Sequence, residues 1–308
     1  MTTLCDRCKA PPVIFIRYSG QHLCSDHFLD LIRRRVKKEV RRQGSLLRRK
    51  RIGIAVSGGK DSLLALKLIH EIISTSRGKD LIALTIDEGI SGYRPSSMEL
   101  ASGYADHLGV EHVITSFREL HGADLDEMVG ATGMGPCTVC GILRRNSLNR
   151  IASTNGIDVL ITGHNLDDMA QTILMNVMDA DVQRLSRLGP HLHPIPGFVP
   201  RSMILRTTPE TETYLAALLL GIPIHGVQCP YSPQAKRGFY RDILLKVEEE
   251  TPGSRHSLLR FQEQISPLIE RKGAKTGVCP SCGEAIFLTN GGEKCKACAV
   301  LEKMGVRK

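Results

Sequence analysis

The sequence predicts an α/β protein, with a parallel sheet in the middle of the chain and a small metal-binding module at each end. Three observations support this fold class. Short apolar runs alternate with helix-period segments over residues 51–180, which is typical of a parallel sheet covered by helices. Ten cysteines are gathered at both ends and in the middle of the chain. The segment Ser57-Gly58-Gly59-Lys60-Asp61-Ser62 lies between the first strand and the first helix of the predicted core.

Composition limits the class of protein. The 308 residues suffice for about two domains. Hydrophobic residues make up 42% and charged residues 24%, which excludes a largely disordered chain. No apolar run approaches the ~18 residues of a membrane-spanning helix, and the N-terminus has no secretory apolar region. We therefore expect a cytoplasmic protein, in which clustered cysteines bind metals or take part in catalysis rather than form disulfides.

Both ends of the chain carry the ligand spacing of structural zinc sites. The N-terminal set is Cys5-x2-Cys8-x15-Cys24-x2-His27, and the C-terminal set is Cys279-x2-Cys282-x12-Cys295-x2-Cys298. Ligands two residues apart on a tight turn can occupy neighbouring corners of a tetrahedron. Because four protein ligands leave no open position, we expect both sites to be structural.

A basic amphipathic helix is predicted after the first zinc module. Its apolar positions Phe28, Ile32, Val36 and Val40 recur every four residues, with cations around the remaining surface. Residues 33–51 contain eleven Lys or Arg and one acid, so this stretch accounts for the net charge of +9. Such a density of cations favours RNA contact, although a solvated surface helix and a membrane-surface helix remain alternatives. The predicted RNA-binding side chains are Arg33, Arg34, Arg35, Lys37, Lys38, Arg41, Arg42, Arg48 and Arg49.

The elements of the core follow from hydrophobic periodicity. The predicted strands are 52–56, 81–86, 111–115 and 158–162, and the predicted helices are 63–73, 98–108 and 144–153. Residues 180–205, which are rich in Pro and His, are predicted to form a loop. A further helix is predicted to begin at Pro209 with Thr208 as its N-cap. Residues 235–272 are predicted to be helical and polar.

The segment 57–62 predicts an anion-binding loop. Backbone N–H groups at a helix start lack internal partners, the helix dipole adds partial positive charge, and glycines let phosphate oxygens approach the backbone. Lys60 adds a point charge, the hydroxyls of Ser57 and Ser62 can donate, and Asp61 could hold Mg²⁺ indirectly. The GxxxxGK[ST] spacing of a Walker loop is missing. The alternative interpretation is a tight strand-to-helix turn without a ligand.

Two further polar segments follow predicted strands. They are Thr85-Ile86-Asp87-Glu88-Gly89 and Gly163-His164-Asn165-Leu166-Asp167-Asp168. Ligands of open α/β sheets bind at the carboxyl ends of the strands, so both segments are candidates for the same site. Asp167 or Asp168 could bind Mg²⁺, which prefers oxygen ligands. His164 is either part of the site or a structural residue.

Three cysteines remain outside the terminal modules: Cys137 and Cys140 in a CxxC pair, and the distant Cys229. A closed zinc site would need a fourth ligand, and none is obvious. An iron–sulfur cluster held by three thiolates would leave one iron open for chemistry. A redox-active CxxC with a third helper thiol is the competing interpretation. The residues alone do not decide between these two.

The motifs resemble a known family. The SGGKDS segment after a strand is similar to the PP-loop of the ATP pyrophosphatase superfamily. Together with two zinc ribbons and the central cysteines, it makes the whole chain resemble the tRNA 2-thiouridine synthetases of the TtuA type and their archaeal and eukaryotic wobble-uridine relatives. The resemblance implies a parallel-sheet PP-loop core, similar to adenine nucleotide alpha hydrolases, flanked by N- and C-terminal zinc ribbons. The ATP-binding residues it implies are Ala55, Ser57, Gly58, Gly59, Lys60, Asp61, Ser62, Ile86, Asp87, Gly163, His164 and Asp168.

The resemblance also implies an activity, namely ATP-dependent tRNA sulfurtransfer that makes 2-thiouridine. ATP would adenylate the uridine C2 oxygen, releasing pyrophosphate, and AMP would leave as sulfur from a [4Fe-4S]-bound sulfide replaces that oxygen. The implied catalytic residues are Lys60, Asp61, Asp168 and the cluster ligands Cys137, Cys140 and Cys229. The implied cofactors are ATP, Mg²⁺, the cluster and two structural Zn²⁺. The implied partners are tRNA, a second copy of the chain, and either a ubiquitin-like sulfur carrier or free sulfide.

Some relatives have a Lys shortly after the CxxC pair, where this chain has Arg144 and Arg145. This departure argues against a catalytic amine at that place, and either Arg could instead stabilise phosphate charge. Two other functions stay open: another adenylating PP-loop ligase that modifies tRNA, and a non-catalytic RNA-binding zinc-ribbon protein. The target uridine, at the wobble position or in the T-loop, is not determined by the sequence.

The motifs divide the chain into five predicted units. The first two are the N-terminal zinc-binding module at 1–28 and the basic helix linker at 29–50. The third is the PP-loop ATP-binding catalytic domain at 51–200. The last two are its helical continuation at 201–274, which carries Cys229, and the C-terminal zinc ribbon at 275–308.

Overall fold

The computed structural model describes residues 3–44, 46–76, 78–192, 195–269, 275–288 and 294–306. In chain order its strands are β1 (Ile14–Ile16), β2 (Gln21–Leu23), β3 (Arg51–Ala55), β4 (Asp80–Asp87), β5 (Glu111–Ser116), β6 (Val159–Ile161), β7 (Arg201–Ser202), β8 (Lys275–Val278) and β9 (Ala285–Leu288). Its helices are α1 (Ser25–Arg42), α2 (Lys60–Ile73), α3 (Arg94–His107), α4 (Phe117–His121), α5 (Leu125–Thr132), α6 (Pro136–Thr154), α7 (Leu166–Met178), α8 (Val182–Ser186), α9 (Glu210–Leu219), α10 (Arg237–Glu250), α11 (Ser254–Ile265) and α12 (Lys296–Lys303).

The central sheet has five parallel strands in the order β5-β4-β3-β6-β7, which confirms the predicted α/β class. The chain moves outward from β3 through β4 to β5 and then returns to place β6 on the other side of β3. This reversal makes the boundary between β3 and β6 the topological switch point of the sheet. Ligands of such sheets bind at the carboxyl ends of the strands that flank this point.

Helices cover both faces of the sheet, and each face forms its own apolar cluster. On one face, α1, α2 and α9 pack over residues such as Ile54 and Val159; on the other, α6 packs over Ile82 and Leu84. The apolar stripe predicted for the basic helix is confirmed, because Phe28, Ile32, Val36 and Val40 are all buried. Burying a large apolar side chain contributes about 1.5–3 kcal/mol, so this stripe holds α1 on the core.

Several predicted boundaries are wrong. The helix predicted to begin at Arg144 begins at Pro136, so the CxxC pair lies in its first turns; Pro suits the first position of a helix. The segment 180–205 contains α8 and β7, which are too short to show a period. The helix predicted from Pro209 begins one residue later, with Pro209 as its N-cap.

The polar helical stretch is interrupted. It consists of α10 and α11, separated at Pro252-Gly253, where Gly253 has φ +96°. Residues 270–272 of the predicted stretch lie outside the described residues. Within the described ranges, no helix combines the length and the apolar character that crossing a membrane requires.

Each terminal module is built on a short antiparallel hairpin. The strands β1 and β2 pair before α1, and β8 and β9 pair before α12. In the C-terminal module, Cys295 is the N-cap of α12 and its sulfur accepts from the backbone N–H of Cys298 at 3.2 Å. This helix packs against α5 and α6 of the core, on the face that carries the CxxC pair.

Candidate active site

The loop 57–62 turns sharply between β3 and α2. Gly58 has φ +82°, and a Cβ atom there would lie 1.8 Å from the carbonyl oxygen of Ser97, so only glycine fits. The hydroxyl of Ser62 accepts from the backbone N–H of Ser57 at 3.1 Å and donates to the carbonyl of Gly59 at 2.8 Å. These bonds fold the loop over the start of α2, where the N-terminal N–H groups and the helix dipole favour an anion.

Lys60 is held by two acids at the start of α2. Its Nζ lies 2.9 Å from Asp61 and 3.1 Å from Glu210 on α9. Burial lowers the pKa of Lys60, but the two carboxylates outweigh this effect and the pKa lies above its ordinary value. The second oxygen of Asp61 accepts from Thr213 at 2.5 Å. Glu210 and Thr213 were missed in the sequence, where 150 residues separate Glu210 from Lys60 and no local pattern marks either residue.

The loop after β6 contacts the loop after β3. A Cβ atom at Gly163 would lie 2.9 Å from both the Cα and the N of Ser62. The segment 163–168 and the loop 57–62, which are both predicted to contribute to the site, therefore meet at the switch point. His164 is exposed in this open cleft, and its Nδ1 lies 2.9 Å from the hydroxyl of Thr162. The protein around the cleft desolvates the imidazole and lowers its pKa.

The two acids proposed as Mg²⁺ ligands have different environments. Asp167 is buried, pairs with Arg255, and accepts from the backbone N–H of Glu210 at 2.6 Å, so both of its oxygens are engaged. The Asp168 side chain is 34% exposed. One of its oxygens accepts from the backbone N–H of Asn165, the N-cap residue of α7, and the other lies 3.4 Å from Nη1 of Arg237. Of the two, only Asp168 is open to the cleft.

The carboxyl end of β4 is organised by a buried arginine. Arg94 donates to the carbonyl of Ile86 at 2.5 Å and to the carbonyl of Ser57 at 3.0 Å. Asp87 accepts from the backbone N–H of Gly89 at 2.9 Å, which turns the chain away from the strand. Ala55, at the end of β3, lies beside β4 in the same parallel register. The residues predicted to bind ATP thus converge on adjacent strand ends.

A continuous series of contacts joins the phosphate loop to the CxxC pair. Arg94, which binds Ser57, pairs through Nε with Glu88 at 2.7 Å. The other oxygen of Glu88 lies 2.6 Å from Nε of Arg144, and Nη2 of Arg144 donates to the sulfur of Cys140 at 3.2 Å. The charge of Glu88 raises the pKa of Arg144. Glu88 belongs to the segment 85–89 that the sequence predicts for the site, but it was not singled out as a site residue.

The three central cysteines lie around the N-terminus of α6. Cys137 is exposed, Cys140 is buried, and Cys229 is partly buried against the same apolar cluster as Cys140. The sulfur of Cys137 donates to the carbonyl of Tyr231, two residues from Cys229, at 3.7 Å. Burial raises the pKa of Cys137 and of Cys140, and Cys229 raises both further. Thiols from two distant parts of the sequence therefore share one environment.

The spacing of the sulfurs distinguishes the central cysteines from the terminal sets. In each terminal set, all four ligand atoms lie within 4.8 Å of one another, which suits a single tetrahedral ion. Cys137, Cys140 and Cys229 do not form such a tight set among the described residues. Three thiolates can hold a [4Fe-4S] cluster and leave one iron without a protein ligand, so these cysteines remain candidates for such a cluster.

The terminal sets are assembled as the spacing predicts. Nδ1 of His27 lies 3.3 Å from the sulfur of Cys24 and 3.5 Å from that of Cys5. In the C-terminal set, the sulfurs of Cys282 and Cys295 are 3.8 Å apart. These sets are groups of four ligands that could each hold a metal ion.

The predicted RNA-binding cations differ in how free they are. Arg35 is mostly buried, pairing with Glu212 and donating to Tyr18 at 2.5 Å, and it has a structural role at the inner side of α1.

The other predicted cations lie nearer the surface, and some of them form ion pairs. Arg33 pairs with Glu71 on α2 at 3.0 Å. Arg34 pairs with Asp30, Arg42 with Glu263, and Arg49 is half-buried. The cations exposed to solvent without a carboxylate partner in the described ranges are Lys37, Lys38, Arg41 and Arg48.

The anion loop at the switch point of a five-stranded parallel sheet defines a nucleotide-binding protein of the PP-loop class. The PP-loop domain family matches residues 30–190, and the N-terminal LIM domain of 2-thiouridine synthetase TtuA matches residues 4–29. The chain is 34% identical to tRNA 2-thiolation protein NcsA of Haloferax volcanii, covering 97% of this chain and 98% of that protein. It is 31% identical to cytoplasmic tRNA 2-thiolation protein 1 of Arabidopsis thaliana, covering 98% and 87% of the two chains.

A solved structure agrees with these relatives. The fold matches the U34-tRNA thiolase NcsA from Methanococcus maripaludis, which holds a [4Fe-4S] cluster, with a TM-score of 0.87 and 34% identity over 100% of this chain and 99% of that one. The chain belongs to the tRNA 2-thiolation protein family within the PP-loop class.

Proposed function

We propose that this protein is an ATP-dependent tRNA sulfurtransferase that makes 2-thiouridine. The observation that supports the proposal is the contact series from Ser57 through Arg94, Glu88 and Arg144 to Cys140, because it connects the loop 57–62 with the start of α6, where the CxxC pair lies. Membership of the tRNA 2-thiolation family supports the substrate class.

The nucleotide loop serves activation of the uridine. The C2 oxygen is a poor leaving group, so it first attacks the α-phosphorus of ATP; the bond to the β-phosphate breaks and pyrophosphate departs. Lys60 and the N-terminus of α2 stabilise the charge that develops on pyrophosphate. Asp168, open to the cleft, would hold Mg²⁺ that shares this charge.

The thiol centre serves the substitution. Cys137, Cys140 and Cys229 would hold a [4Fe-4S] cluster whose fourth iron lacks a protein ligand, which supplies a place for the incoming sulfur. Sulfur at the oxidation level of sulfide would bond to C2 while the C2–O bond breaks, so that AMP leaves with the former oxygen. Arg144 donates to the sulfur of Cys140 and stabilises negative charge on that ligand.

The remaining parts of the proposal concern structure and partners. Each terminal set would hold one Zn²⁺ as a structural ion. The exposed cations of α1 would contact the tRNA backbone, and the sulfur would come from a ubiquitin-like carrier or from free sulfide. A homodimer in the cytoplasm completes the proposal.

Mass spectrometry of tRNA nucleosides tests the function directly. The anaerobically purified protein is incubated with unmodified tRNA, ATP, Mg²⁺ and sulfide, and we expect 2-thiouridine together with AMP and pyrophosphate. ATP consumption without thiolation would indicate another adenylating tRNA ligase. Binding of tRNA with neither product would indicate a non-catalytic RNA-binding protein, and either result would overturn the proposal.

A further inference from the structure

Two arginines beside the cleft have no acidic partner in the described part of the chain. Arg145 lies on α6 and Arg201 begins β7, the edge strand of the sheet. They are in contact, because Nη2 of Arg201 donates to the carbonyl oxygen of Arg145 at 3.1 Å. The Arg145 guanidinium folds back along its own helix: a Cβ atom built at Gly141 would lie 3.3 Å from its Nη1. Arg145 is exposed and Arg201 is half-buried.

Three neighbouring arginines differ from this pair, since each has a carboxylate within ion-pair distance. The pairs are Arg144 with Glu88 at 2.6 Å, Arg184 with Asp181 at 3.0 Å, and Arg237 with Asp168 at 3.4 Å. Arg145 and Arg201 lack the carboxylate partner that each of these three arginines has.

Positive charge is electrostatically unfavourable at both arginines. Burial lowers the pKa of Arg145, and Arg144 and Arg184 lower it further. Burial also lowers the pKa of Arg201, with Arg145 as the second cause. A bound anion would offset the repulsion between these like charges.

We propose that Arg145 and Arg201 bind a phosphate group of the RNA backbone beside the nucleotide whose base reaches the thiol centre. This inference rests on the proposed function. Arginine suits the ligand, because its planar fork of donors matches phosphate oxygens. Arg145 follows Cys140 by five residues, about 7.5 Å along the helix axis, and its guanidinium folds back towards Gly141, the residue after Cys140.

The position in the sheet favours RNA over ATP as the source of this phosphate. The phosphate loop follows β3, and β6 lies between β3 and β7, so Arg201 is two strands away from that loop. Lys60 and the start of α2 already provide a site for the phosphates of ATP. Desolvation lowers the pKa of His164 and Arg201 lowers it further, so the effect of the Gln variant on ATP affinity separates the two sources of phosphate.

Salt titration of tRNA binding tests the proposal. The metal-loaded wild-type protein is compared with the double variant Arg145→Gln/Arg201→Gln and with Arg145→Lys/Arg201→Lys. Arg150→Gln is the matched control, because Arg150 lies on the same helix, is exposed, and lies 3.8 Å from Glu284. We expect the slope of log K against log salt to fall in magnitude by about 1 for each RNA phosphate that the Gln variant no longer neutralises. The Lys variant and Arg150→Gln should keep most of the wild-type slope.

ATP affinity and iron content, measured on the same preparations, complete the test. Both should be unchanged in the Gln variant. A lower ATP affinity would assign the pair to ATP, and an unchanged salt slope would show that no RNA phosphate binds there; either result overturns the inference. The wild-type thiolation assay is independent: if it gives no 2-thiouridine while the salt slope still falls in the Gln variant, the proposed function fails and the phosphate site stands.

Discussion

Arg144 joins the sulfur of Cys140 to the carboxylate of Glu88. Its Nη2 lies 3.2 Å from the sulfur, and its Nε lies 2.6 Å from the carboxylate. The Glu88 side chain is only 3% exposed. A buried carboxylate thus orients the guanidinium, and the guanidinium in turn holds a predicted cluster ligand. This geometry gives Arg144 a role that a flexible amine could not fill in the same way, since only the planar fork donates in both directions.

Replacing Arg144 should loosen the thiol centre. A hydrogen bond to a charged group contributes about 1.5–3 kcal/mol, so we expect Arg144→Gln to release iron about 10- to 100-fold faster under a chelator. Arg144→Lys should give an intermediate rate, because it keeps the charge without the planar fork. Iron release followed by absorbance measures this, with Arg150→Gln as the control on the same helix. An unchanged rate of iron release would show that Arg144 does not stabilise iron binding by the central cysteines.

Lys60→Ala should abolish turnover while the fold is retained. The side chain is 17% exposed and bridges Asp61 and Glu210, so its removal takes the point charge from the anion loop. Loss of one group that stabilises developing charge costs about 10²- to 10³-fold in kcat. Lys67→Ala on the same helix, where the partner is Glu71 at 3.6 Å, is the control. Thiolation rates and circular dichroism spectra check the result, and an active Lys60→Ala protein would refute the assignment.

Iron and zinc should depend on different cysteines. Cys137→Ser, Cys140→Ser and Cys229→Ser should each lower iron and labile sulfide while two zinc ions per chain remain. Cys282→Ser, in a set whose ligand atoms lie within 4.8 Å of one another, should lower zinc and spare iron. Elemental analysis after anaerobic purification measures both metals. Any central variant that keeps its full iron content removes that cysteine from the ligand set.

The sequence predicts the fold and the motifs well because they are local. The strand-to-helix loop at 57–62 and the CxxC pairs are continuous segments, and the parallel sheet follows from the alternation of strands with helices. The order of the strands and the short strand β7 were not predicted. Partners from distant segments could not be predicted in this way: Glu210 reaches Lys60 across 150 residues. Arg35 also shows the limit, because a cation in a basic run was predicted to face RNA and instead pairs with the buried Glu212. A charge pattern does not show which cations the tertiary fold covers.

Arg94 should be important for stability as well as for the site. Its side chain is 3% exposed and pairs with Glu88, which is equally buried. Arg94→Ala removes one of the two arginines that pair with Glu88 while Arg144 remains. A hydrogen bond to a charged group contributes about 1.5–3 kcal/mol, so we expect the free energy of unfolding to fall by about that amount. Arg118→Ala, which removes an exposed pair with Asp124, should cost less than about 1 kcal/mol. Urea unfolding of the metal-loaded protein compares the two, and equal decreases in the free energy of unfolding would contradict the buried role of Arg94.

The contact between the basic helix and the core should depend on pH through Glu71. Burial raises the pKa of Glu71, but Arg33 and Lys67 outweigh it and hold the pKa below its ordinary value of 4.5. A carboxylate with a lowered folded pKa contributes stability that is fully present above the unfolded value and disappears as pH falls through the folded value. Because the pair is part-exposed, we expect Glu71→Gln to cost at most about 1 kcal/mol at neutral pH.

This difference between Glu71→Gln and wild type should shrink as the pH falls below about 4.5. Thermal unfolding of both proteins across this range measures it, with Glu99→Gln on the exposed side of α3 as the control for removal of a surface charge. Arg33→Gln should reproduce the effect of Glu71→Gln, because it removes the same ion pair from the other side. If the Glu71→Gln difference stayed constant down to acidic pH, the Arg33–Glu71 pair would not be what fastens α1 to α2, and the buried apolar stripe would hold the helix alone.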